Sequence, residues 1–303
     1  MRSMIIKWLK AAGLIVALVC IGMGAKSFGR APVVRGETAS FSCTSVKPQV
    51  VHIDGSQAYV FRHASGRDLM LHVFSGAAAT GPSPAVMLFF GGGWRAGTVD
   101  AFASRARALA ARGYVVILPD YRVFCRDRTG PMEAMKDARA AYDWLIAHAA
   151  GIGVDQRRIV LGGGSAGGQL ALMTTIRRNV GHRPAALVLY NPAIDPGAMP
   201  EFLSLSMNAS RPISPARQPL DHMPPAIIMH GEADEYVPIA TIRAFCVRYR
   251  AAGGRCDVEA YPEQRHGFFH KTIPDVLIGG SPYDLTLART LSFLATIKGL
   301  EPR

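Results

Sequence analysis

The chain contains no HExxH, no CxxC and no tight cluster of histidines with acidic residues, so a metal ion has no evident ligand set and none is expected. Repeats and low-complexity tracts are also missing, which excludes a solenoid or a fibrous chain. Charged residues supply only 18% of the 303 positions and apolar residues 49%, so the chain is neither a disordered segment nor a coiled coil. That much apolar material supports one large core. Lysine and arginine outnumber aspartate and glutamate by 34 to 22, a formal net charge of +12, yet they gather in no block. They are scattered through segments such as RARALAAR at 105–112, which reads as a solvated helix face, so nucleic acid is not an expected partner.

No apolar run is as long as the ~20 residues that a membrane-spanning helix requires. The run AAGLIVALVCIGMGA at 11–25 follows Arg2, Lys7 and Lys10 and closes on small residues, the layout of a secretory signal peptide. Residues 1–25 are therefore expected to be a signal peptide, with an N-terminal anchor as the alternative, 26–57 an extension, and 58–303 the folded domain. Export to the periplasm or beyond follows, with no stable membrane association once the segment is removed. Cysteine is scarce, five in all, and four if Cys20 leaves with the signal. Cys246 and Cys256 flank YRAAGGR, a helix end with a glycine stop that can double the chain back. A disulfide and two free thiols both remain open there, as does a Cys43–Cys125 pair.

From Ala58 onward the pattern becomes regular. Strand-like AYVFRHA and LMLHVFSG come first, then AVMLFF, YVVILPDYR, RIVLGG, AALVLYN, AIIMHG and CDVEAYP, with helical stretches between the later ones. Continuous apolar strands alternating with amphipathic helices imply a mainly parallel sheet with helices on both faces. Ligands of such sheets bind at the carboxyl ends of the strands, so the residues just past each strand are the ones to inspect. The Pro-rich segment 195–225 breaks the rhythm and suits a long loop or small lid.

Directly after the strand RIVL stands GxSxG as Gly163, Gly164, Ser165, Ala166 and Gly167. The glycines permit a sharp turn from strand into helix, which holds a serine hydroxyl out at the top of the sheet beside unpaired helix N–H groups. No Lys-Ser/Thr pair closes the glycine run, so a phosphate loop is excluded. A nucleophilic serine needs a base and an orienting acid, which in this kind of fold follow in the order acid, then histidine. His266 in YPEQRHGFF, past the strand CDVEAY, fits the base, with His270 as the alternative. For the acid, AIIMHGEADEYVP offers Asp234 just past a strand, with Asp195 as runner-up. His230 reads as a loop-bracing residue. Earlier in the chain, FFGGGWRAGT at 89–98 presents a bare backbone after a strand, headed by phenylalanine.

The ordered set GGGW at Gly91–Trp94, DYR at Asp120–Arg122, GGSAGG at Gly163–Gly168, HGxxDxxVP at His230–Pro238 and HGF at His266–Phe268 resembles the α/β-hydrolase family. Within it, the set is most similar to the acetyl-esterase and carboxylesterase branch related to hormone-sensitive lipase. The resemblance implies an α/β-hydrolase fold over 58–303 with a small lid or none, no cofactor, and Ser165, Asp234 and His266 as nucleophile, acid and base. It further implies oxyanion donors at Gly92, Gly93 and Ala166, with Gly91 a further candidate, and places Trp94 at the substrate. A small-molecule or carbohydrate ester with a short acyl group, acetyl above all, is the implied substrate. A peptidase or amidase of the same fold and a non-catalytic binder on this scaffold are the alternatives. Relatives usually read HGGGW, whereas Phe90 holds the histidine position here, and it is expected to brace the loop by packing.

Overall fold

The computed structural model describes residues 43, 46–76, 81–176, 178, 182–198, 210–272 and 280–302. The expected signal peptide lies outside these residues, as does all but a fragment of the extension that follows it. Among the described residues no helix is long and apolar enough to cross a membrane.

Eight strands form one sheet: β1 (Gln57–Ala64), β2 (Arg67–Phe74), β3 (Ser83–Phe89), β4 (Val115–Pro119), β5 (Val154–Gly164), β6 (Ala186–Tyr190), β7 (Ala226–Gly231) and β8 (Cys256–Tyr261). Their spatial order is β1-β2-β4-β3-β5-β6-β7-β8. The β1/β2 and β2/β4 pairs are antiparallel, and every later pair is parallel. Strands β3, β4, β6 and β7 are buried along their whole length, which is why each reads as an unbroken apolar run instead of an alternating one. In β1, by contrast, buried and exposed positions mix, as befits an edge.

Helices cover the two faces. Arg105, on the helix Ala103–Ala110, bonds to Thr286, on the helix Pro282–Ala295, and so joins those two on one side. The helix Ala166–Thr175 is buried at all ten positions, its polar residues Gln169, Thr174 and Thr175 included. The 18-residue helix Pro131–His148 packs against it. Both cysteine pairs left open by the sequence are disulfides, Cys43–Cys125 and Cys246–Cys256, each with Cα atoms 5.4 Å apart. The topology delivers six chain segments to one edge of the sheet: those leaving β3, β4, β5, β6, β7 and β8.

Candidate active site

Between the end of β5 and the helix Ala166–Thr175, Ser165 takes φ 52° and ψ −118°, a conformation that L-residues avoid. Its peptide groups are tied on both sides. The N–H donates to Tyr190 O at 2.9 Å, and the carbonyl accepts from Ala193 N–H at 3.0 Å and Gln169 N–H at 3.1 Å. The turn also passes hard against the end of β3. A Cβ on Gly167 would stand 2.0 Å from Phe89 O and 2.4 Å from Phe90 O, so only glycine fits that place in GxSxG.

The glycine loop leaves β3 beside this serine. A Cβ built on Gly91 would be 3.3 Å from Ser165 Cβ, which brings the loop into contact with the turn. Gly92, at φ +121°, closes the loop by accepting the N–H groups of Arg95 and Ala96, both at 3.1 Å, and a Cβ there would lie 2.2 Å from Ala96 O. Among the described residues, the N–H groups of Gly92, Gly93 and Ala166 donate to no other group of the chain. The Ala166 N–H stands at the head of a helix, where free backbone donors favour negative charge.

Phe90 fills the position of the missing histidine by packing. It is 1% exposed, and its ring stacks on Tyr121 with centroids 4.0 Å apart and an interplanar angle of 12°. The Tyr121 hydroxyl donates to Phe90 O at 2.8 Å, and the N–H groups of Phe124 and Cys125 donate to Trp94 O and Arg95 O, both at 2.9 Å. The segment that carries DYR is therefore the foundation of the glycine loop. That foundation is itself held by charge: Asp120 pairs with Arg67 and Arg126, and Arg122 forks onto Asp137 at 2.8 and 2.9 Å. Trp94 corrects one expectation. At 1% exposure, with its indole N–H 3.3 Å from Gln169 Oε1, its ring offers no surface to a substrate. A φ of 57° at Trp94 carries the chain through the turn while the side chain enters the core.

Past β7, Asp234 sits with its carboxylate fully buried and satisfied on both oxygens. Oδ1 accepts the N–H groups of Tyr236 and Val237, each at 2.9 Å. Oδ2 accepts Asn191 Nδ2 at 2.5 Å and His266 Nδ1 at 2.8 Å. Burial pushes the Asp234 carboxyl up, but the bonds from His266 and Val237 N–H outweigh it and hold the group below the usual carboxylate range. His266, on the loop after β8, keeps 18% of its side chain exposed, its N–H donates to Glu235 Oε2 at 3.2 Å, and the Tyr236 ring meets it edge-on at 5.1 Å. A Cβ on Gly164 would lie 2.4 Å from Phe269 Cζ, so the His266 loop closes directly over the residue preceding Ser165. The Ser165 hydroxyl and the imidazole are not hydrogen-bonded to each other, a contact that typically tightens only when a substrate is in place.

The alternatives fall elsewhere. Asp195 is engaged by Ser214 Oγ at 2.7 Å and by Arg217, away from any histidine. Burial pushes His270 down to about 4, and its ring packs on Phe102 and Phe269. His230 braces the β7 loop as expected, with Nε2 donating to Val237 O at 2.8 Å, and burial keeps it neutral. Asn191 is a further member of the site, buried just past β6 with φ 43°, and fixes the acid from the strand next door. Among the described residues no group of acidic, histidine and cysteine side chains could hold a metal ion.

Comparison with known proteins bears on the fold and the family. The BD-FAE family profile matches residues 71–190. Esterase 2 of Thermogutta terrifontis, in a structure phosphoramylated by tabun, superposes with a TM-score of 0.76 at 31% identity over 83% of this chain and 98% of that one. The same esterase with butyrate bound gives 0.73 at 31% identity over 82% and 97%. Lipase 2 of Moraxella sp. is 42% identical over 91 residues, 29% of this chain, and carboxylesterase NlhH of Mycobacterium tuberculosis is 35% identical over 135 residues, 43% of this chain. Those matches span only 21% and 40% of the two relatives' own lengths. The esterase 2 superposition spans nearly all of its partner. The chain belongs to the α/β-hydrolase family, in its esterase branch related to hormone-sensitive lipase.

Proposed function

We propose that the protein is an exported serine carboxylesterase that hydrolyses short-chain acyl esters, acetyl esters of small molecules or carbohydrates among them. The observation that carries this reading is the Asp234–His266 hydrogen bond of 2.8 Å, poised over a turn where Ser165 stands among three undirected N–H donors.

The reaction follows from those positions. Ser165 Oγ attacks the ester carbonyl carbon while His266 Nε2 takes its proton. Asp234 holds the Nδ1–H tautomer and stabilises the imidazolium that results. The carbonyl oxygen, now anionic, receives the N–H groups of Gly92, Gly93 and Ala166, each worth about 3 to 4 kcal/mol by the usual effect of deleting one such donor. Collapse of the tetrahedral intermediate breaks the C–O bond, and His266 returns the proton to the departing alcohol. Water then attacks the acyl-serine by the same path in reverse, releasing the carboxylic acid.

Butyrate and propionate complexes of Thermogutta esterase 2 support a short acyl group. The two disulfides support an oxidising compartment and hence export. Steady-state hydrolysis of p-nitrophenyl acetate and butyrate tests the reading: turnover by the wild type and its loss in Ser165→Ala are expected. Equal rates for the two proteins would reject it.

A further inference from the structure

Arg105 is 2% exposed, yet no carboxylate lies within ion-pair distance of it among the described residues. One terminal nitrogen donates to Phe269 O at 2.8 Å and Thr286 Oγ1 at 2.9 Å, and the other, Nη1, is buried with no partner. The guanidinium is sandwiched between the rings of Tyr190 and Tyr283, 4.6 and 4.8 Å from their centroids. A buried cation is ordinarily paired, and aromatic faces offset only part of its lost hydration. Arg105 also lines a cavity of about 290 Å³ together with Ser104, Phe269, His270, Lys271 and Tyr283. Lys271 Nζ stands 5.7 Å over the Tyr283 ring, a second cation at the same cavity, while Asp100, which also lines it, accepts the Thr98 hydroxyl.

This cavity adjoins the esterase site. Tyr190, whose ring supports the guanidinium, gives its carbonyl to Ser165 N–H at 2.9 Å, and Phe269 covers Gly164. We propose that Arg105, with Lys271, forms a subsite for a carboxylate carried by the ester substrate, on its acyl or its alcohol side. The unpartnered Nη1 supplies the donor, and the Arg105 charge, which pairs with no carboxylate among the described residues, supplies the attraction. The inference rests on the esterase reading and narrows its substrates to anionic esters.

The test compares ethyl butyrate with monoethyl glutarate, and ethyl acetate with O-acetylglycolate, following alcohol or acetate release by NMR for the full chain and for Arg105→Met. Methionine keeps an unbranched apolar stem, and a thermal melt verifies folding; Lys271→Ala, at the cavity mouth, is the second variant. The wild type is expected to favour the anionic member of at least one pair, with that ratio falling about tenfold in Arg105→Met, one charged hydrogen bond's worth, and less in Lys271→Ala. Equal ratios in the wild type and a folded Arg105→Met for both pairs would overturn the subsite. If no ester of either pair is hydrolysed, the esterase reading fails on its own, and calorimetric titration with glutarate decides the subsite separately. Saturable binding lost in Arg105→Met supports the subsite, and no binding to the wild type overturns it.

Discussion

Truncating Phe90 to alanine probes the least familiar element of the site. The ring is 1% exposed and stacked on Tyr121 at 4.0 Å, with Gly97 against its edge. Removing a buried phenylalanine ring destabilises a core by about 3 to 5 kcal/mol. At roughly 2 to 4 °C per kcal/mol for a domain near this size, the melting temperature should fall by about 6 to 20 °C. The catalytic effect is separate. Phe90 directly precedes the glycine loop, whose N–H groups at Gly92 and Gly93 are the proposed oxyanion donors. Complete loss of one such donor lowers kcat by about 10² to 10³, and a loosened loop should give roughly ten- to hundredfold. The Asp234–His266 pair shares no contact with Phe90, so the pH profile should keep its shape while kcat drops more than KM rises. Scanning calorimetry and steady-state kinetics on p-nitrophenyl butyrate measure both effects. Wild-type kcat in a Phe90→Ala protein with a lowered melting temperature would refute the coupling between ring packing and the oxyanion donors.

Other consequences are as specific. Asp234→Asn should preserve the fold through its remaining bonds yet lower kcat by about 10⁴, because an amide favours the wrong imidazole tautomer; a loss under tenfold by the same assay would count against its role. His270 titrates near 4 in the folded protein against 6.5 unfolded, so the unfolded chain binds the extra proton first. Its contribution is therefore complete above pH 6.5 and is lost as pH falls toward 4, by about 3 kcal/mol at most. Urea midpoints at pH 7 and pH 4.5 should show that loss, and His270→Gln should shrink it. Breaking Cys246–Cys256 should remove about 3 kcal/mol and breaking Cys43–Cys125, with its 82-residue separation, about 4 to 5; paired Cys→Ser variants followed by urea denaturation read both.

Much of this architecture is legible in the chain because buried parallel strands have no alternation to hide. VVILP and ALVLY announce themselves, and the topology then puts whatever follows each strand at one edge. Ser165, Asp234 and His266 stand out for that reason. What the sequence conceals is direction. RARALAAR reads as a solvated face, but Arg105 turns inward, because helix periodicity cannot say which arginine faces Tyr190 and which faces water. The resemblance places Trp94 at the substrate, yet with a positive φ its ring lies in the core. Asn191 joins the acid only through adjacency of β6 and β7, a long-range pairing that no local pattern records.

The central claim is that Ser165 is an activated nucleophile, and covalent trapping tests it most directly. The full chain is treated with paraoxon, an organophosphate that phosphorylates activated serines, then digested and mapped by mass spectrometry. A single diethylphosphoryl group on the Ser165 peptide is predicted, together with loss of ester hydrolysis, and Ser165→Ala should remain unlabelled. An unlabelled wild type, or equal labelling of Ser165→Ala, would contradict the account.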